Sequence, residues 1–81
     1  MTISPEVDRH AIGVRVRKAR KAAELTQQEL AASLDITPML LSHYECGRRL
    51  LPVEVAFKLA RQHKVSLDWL YGFRPARRGT R

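Results

Sequence analysis

Eighty-one residues with 44% hydrophobic side chains suffice for one small domain with a single core and are too few for a large catalytic cleft. Fifteen Lys and Arg against eight Asp and Glu give a net charge of +7, which favours a polyanionic partner. No apolar run approaches the ~20 residues of a membrane span, the start lacks the order of a secretion signal, and the single Cys46 excludes an internal disulfide.

The expected location is therefore the reducing cytoplasm, with an intermolecular disulfide as the one link Cys46 leaves open. Charge is unevenly spread along the chain. Residues 22 to 47 hold Glu24, Glu29, Asp35 and Glu45 and no Lys or Arg, while the basic residues fall in three blocks, Arg9 to Lys21, Arg48 to Lys64 and Arg74 to Arg81. Each block is either a solvated face or a polyanion contact.

The first predicted helix carries Ile12, Val16, Ala19 and Ala23 at helical spacing and ends near Ala23. Its start falls anywhere from Pro5 to His10, because Ser4 and Pro5 resemble a cap while Gly13 weakens the early turns. Thr26 followed by Glu29 is a capping-box pattern, so a second helix runs from about Gln27 to Leu34 with Leu30, Ala31 and Leu34 inward. Thr37 then caps a third helix with Pro38 at its first position, where a missing amide hydrogen is harmless, and Gly47 ends it. Only Asp35 to Thr37 separate these two helices, so they must cross steeply.

Pro52 opens a fourth helix whose inner face is read as Val53, Ala56, Phe57 and Ala60. Ser66 caps a short fifth helix with Leu67, Trp69 and Leu70, stopped by Gly72. No strand is expected. Residues 1–8 read as a flexible segment or an early turn, 9–73 as the domain, and 74–81 as a basic disordered tail.

The run LTQQELAASLDITPMLLSHYECGRR, followed by VSLDWLYG, resembles the lambda-repressor and Cro-like helix-turn-helix family over about Ile12 to Gly72. The resemblance implies an all-α, five-helix fold whose third helix enters the major groove of DNA while the start of the second rests on the phosphate backbone. It further implies that Thr26 and Gln27 contact phosphate; for Thr26 this adds to its role as a cap. Thr37, Pro38, Met39, Ser42 and His43 match base-reading or adjacent positions. Arg20 and Glu45 match an ion pair that joins the first helix to the third, Arg48 and Arg49 match phosphate contacts, and Arg15 and Arg17 are weaker phosphate candidates.

Pro38 and Met39 depart from the family pattern, which often has Gln, Ser, Arg or Lys there. Bidentate hydrogen bonding to bases is unavailable at these two positions, which leaves apolar contact, for instance to a thymine methyl. Hydrogen-bonded reading would fall on Thr37, Ser42 and His43, and the expected specificity is modest or based on DNA shape. His63 takes a position usually aliphatic and is expected to be partly buried.

The leading expectation is a homodimeric transcriptional repressor that binds double-stranded DNA, with Tyr71 and Phe73 at the dimer interface. Two alternatives keep the scaffold: a protein-interaction module docking through the uncharged third helix, and the antitoxin half of a toxin pair. One Cys and three scattered His cannot build a four-ligand zinc site, and no paired carboxylates or phosphate loop occur. No catalytic residue, cofactor, metal or membrane contact is therefore assigned.

Overall fold

The computed structural model describes residues 8–72 as five helices: α1 (Arg9–Ala22), α2 (Gln27–Leu34), α3 (Pro38–Cys46), α4 (Val53–His63) and α5 (Leu67–Tyr71). No strand occurs among the described residues. Four of the helices begin at a side-chain cap. Asp8 accepts the Ala11 amide, Thr26 that of Glu29, Thr37 that of Leu40 and Ser66 that of Trp69, so each helix start has one of its free amides satisfied locally. The start of α1 at Arg9 lies within the expected window, and the Ser4–Pro5 cap lies outside the described residues.

Between α2 and α3 the chain turns in three residues. Asp35 takes the left-handed conformation at φ 63°, which a short polar side chain tolerates better than most, and Ile36 donates its amide back to the Ala31 carbonyl. Gly47 ends α3 at φ 80°, a conformation open to glycine without penalty.

The core is one cluster: Ile12 and Val16 of α1, Leu30, Ala31 and Leu34 of α2, Leu41 and Tyr44 of α3, Leu51, then Val55, Ala56 and Leu59 of α4 and Leu70 of α5. Helix α1 packs chiefly on α3 and α5, and α2 on α3 and α4. The inward sets expected for the first two helices are found, apart from Ala23, which is only half-buried.

Helix α4 differs from expectation. Val53 is 65% exposed and Phe57 50%, Ala60 is half-buried, and the buried residues are Val55, Ala56 and Leu59. The expected face was rotated by about one residue, or about 100° around the helix. On α5 Leu70 fills the core and Trp69 is 41% exposed. Half-buried His63 ends α4 with its Nε2 buried and without a hydrogen-bond partner among the described residues.

At Gly13 the α1 backbone lies close against the end of α3. A β-carbon there would overlap the Tyr44 carbonyl oxygen and stand 2.5 Å from that of Glu45, both of them backbone atoms that cannot rotate away. Replacing Gly13 by Ala should therefore destabilise the domain by about 1–3 kcal/mol from overpacking. Helix propensity alone would instead favour Ala by about 1 kcal/mol. Urea denaturation of Gly13→Ala decides between them, and a more stable variant would show that the two helices can move apart freely.

Candidate nucleic-acid interface

The carboxylate of Glu45, on the last turn of α3, is only 4% exposed and is held by three N–H donors. Arg20 Nε donates to Oε2 at 2.7 Å, Arg20 Nη2 to Oε1 at 3.2 Å and Gln27 Nε2 to Oε1 at 3.0 Å. Arg20 Nη1 also donates to the Leu25 carbonyl at 2.9 Å. One guanidinium thus ties the last turn of α1 to the loop before α2 and to the end of α3, while Gln27 brings in the first turn of α2. The planar fork of arginine makes this possible, since its donors are arranged to grip a carboxylate from the side and still reach a carbonyl.

Thr26 and Gln27 sit at the start of α2 with their groups already in use. The Thr26 hydroxyl accepts the Glu29 amide and the Glu29 carboxylate accepts the Thr26 amide, each close to 3 Å. The amides of Gln27 and Gln28 are the first-turn donors that the cap leaves available to an anion. Arg17 shares a shallow groove with Arg20, Thr26, Gln27, Glu45 and Cys46, and a neighbouring groove adds Lys18, Lys21 and His10. Arg17 therefore stands beside the start of α2. Arg15 is placed elsewhere, with its guanidinium against Gly72 at the end of α5.

On α3, Thr37, Pro38 and Met39 are exposed, Met39 by 69%, while Ser42 and His43 are half-buried. The core side is Leu41, Tyr44 and Glu45, which leaves Met39, His43 and Cys46 in a row along the opposite side. Cys46 is exposed on this row and was not among the expected contacts. Its spacing of three from His43 and seven from Met39 was the available signal. Arg48 and Arg49 are exposed in the loop that follows, their amides donating to the His43 carbonyl at 2.9 and 3.3 Å. That places both arginines directly past the end of α3.

Tyr71 is half-buried, and its hydroxyl donates to the Leu51 carbonyl at 2.8 Å. Burial, with a smaller contribution from the Glu54 carboxylate, holds its phenol above the ordinary pKa of 10.0. Phe73 lies outside the described residues.

A family model described as "Helix-turn-helix" matches residues 16–70, most of the chain. The chain belongs to the helix-turn-helix family. It is similar to the HTH-type transcriptional regulator ImmR of Bacillus subtilis, with 37% identity over 62 residues that cover 76% of this chain and 49% of that protein. A second Bacillus subtilis relative, the uncharacterized HTH-type transcriptional regulator YobD, is 34% identical over 58 residues, 72% of this chain and 52% of its own. This helix-turn-helix chain spans about half the length of the curated relatives it matches.

Two solved structures share the fold at a TM-score of 0.71 and 26% identity. One is the restriction-modification controller protein C.AhdI from Aeromonas hydrophila, matched over 79% of this chain and 97% of that one. The other is the clp gene regulator ClgR from C. glutamicum, matched over 80% and 84%.

Because Glu45 is buried, removing Arg20 leaves a carboxylate with Gln27 as its sole side-chain donor among the described residues. Arg20→Ala and Glu45→Ala should each lower stability by about 3–5 kcal/mol, and the double variant by clearly less than the two together. Chemical denaturation of the four proteins measures this, and strict additivity would mean that the two side chains contribute independently.

Proposed function

We propose that this chain is a transcriptional regulator, a repressor in the simplest reading, that binds operator DNA as a homodimer with α3 in the major groove. The observation that carries this reading is the arrangement around α3. Its outward row is free of acidic groups, Arg17 and the open amides of α2 lie on one flank, and Arg48 and Arg49 lie past its end. A duplex needs just this distribution, with base edges in the groove and phosphates on both sides. The similarity to named regulators supports it, and the family is one of DNA-binding regulators rather than of enzymes.

Positive charge beside the groove supplies affinity without sequence information, because each neutralised phosphate releases a counterion. Arg48→Ala and Arg49→Ala should each weaken binding to every duplex alike and reduce the salt slope by about one. Fluorescence anisotropy against a salt series reads both effects. Unaltered slopes in both variants would remove the two arginines from the interface.

Dimerisation is supported by apolar surface that the core leaves uncovered. Val53 and Phe57 stand one turn apart on α4 with Arg61 stacked 5.6 Å from the Phe57 ring centre, and Trp69 of α5 is 41% exposed. We place the interface on the exposed face of α4 around Val53 and Phe57, with Tyr71 and Phe73 kept as the candidates expected from sequence, because exposed aromatic surface on a small domain marks a contact. A Phe57→Asp variant should sediment as a folded monomer and bind an operator at least tenfold more weakly. A wild-type chain that stays monomeric at high micromolar concentration would defeat the dimer.

A further inference from the structure

The part of α3 that leads into the proposed groove is its first turn, and the chemistry there is unusual for a surface meant to read hydrogen-bonding edges. Met39 is 69% exposed, more than any other large apolar residue among the described ones. Pro38 before it has no amide hydrogen, and Leu40 behind it is half-buried against the core. The Thr37 hydroxyl oxygen is committed to the Leu40 amide at 3.0 Å. Neither a carboxamide nor a guanidinium nor an ammonium group stands on this turn, so none of the paired hydrogen bonds that distinguish guanine or adenine is available from it. His43 lies one turn further on and is half-buried, and the nearest arginines come after the helix has ended.

In the major groove one base feature is recognised by apolar contact alone, the methyl group on C5 of a pyrimidine. A flexible, polarizable thioether beside a proline ring suits that contact and gains nothing from a polar edge. We propose that the first turn of α3, through Met39 with Pro38 beside it, selects its site by pyrimidine C5-methyl groups, so that thymine and 5-methylcytosine are equivalent to it and uracil is not. The proposal rests on α3 entering the major groove, as set out above. Thymine and 5-methylcytosine differ in the group at C4, oxygen or amine, but Met39 has no hydrogen bond with which to tell them apart.

Selection from four random duplex pools tests it: one with ordinary bases, one with deoxyuridine for thymidine, one with 5-methylcytosine for cytosine, and one with both replacements. The ordinary pool should give a consensus with thymines in each half-site. Deoxyuridine should erase those positions, with a loss of about fourfold per contacted methyl and about an order of magnitude over two half-sites. In the pool with both replacements the methyl has moved to cytosine, and cytosine should take the vacated positions. Met39→Ala should lose the thymine preference on ordinary duplex.

Recovery of one consensus from the ordinary and deoxyuridine pools would overturn the methyl reading and leave DNA binding intact. So would bound DNA without any consensus, or a thymine preference that survives Met39→Ala. Failure to retain any pool at low salt would instead overturn the DNA-binding reading and this inference with it.

Discussion

Everything at the proposed interface depends on how Arg20 and Glu45 meet. Helices α2 and α3 are short, and neither could hold its angle to the other through three connecting residues alone. The guanidinium of Arg20 joins the end of α1, the Leu25 carbonyl before α2 and the carboxylate on α3, and Gln27 closes the set from α2. A buried carboxylate is costly in isolation, by several kcal/mol, and here three donors offset that cost. An apolar pair of similar volume could be equally stable, but it would lack direction. Hydrogen bonds specify where the carboxylate stands relative to the start of α2, and hence where the outward row of α3 lies relative to the free amides.

Close packing of α1 against α3 reinforces this. Gly13 lets the α1 backbone rest on the carbonyls of Tyr44 and Glu45, so the carboxylate arrives within reach of Arg20 two turns further along α1. A bulkier residue at 13 would push α3 outward and lengthen the ion pair. Glycine, unfavourable for the helix in isolation, is thus favourable for the assembled domain.

Charge is arranged to complement the same geometry. In the acidic stretch from residue 22 to 47, Glu45 is buried and paired and Glu29 closes its own capping box, while Glu24 and Asp35 stay exposed before and after α2. The exposed side chains of α3 itself, Pro38, Met39 and Cys46, carry no acidic group. In the proposed complex long-range attraction would fall to Arg17, Arg48 and Arg49 and selectivity to short-range contact, two tasks with different salt dependence.

Much of this was legible in the chain because it is local. Thr26, Glu29, Thr37, Pro38 and Ser66 act on amides three residues away, so the starts of α2, α3 and α5 follow from sequence, and the spacing of Leu30, Ala31 and Leu34 marks one face of α2. The pairing of Arg20 with Glu45, twenty-five positions apart, was suggested by family resemblance and not by any spacing. On α4 the set Val53, Ala56, Phe57, Ala60 and the set Val55, Ala56, Leu59, His63 are equally periodic, and only packing against α2 and α5 decides that Leu59 goes in while Phe57 stays out. The same holds for Leu70 over Trp69, for Arg15 turning to the end of α5, and for Cys46 joining Met39 and His43. Sequence by itself determined where α2, α3 and α5 begin and which pattern repeats along each helix, since caps and periodicity act within a turn or two. The choice of buried face and of neighbours was left to the tertiary structure, because it depends on which surfaces of distant segments fill the same volume.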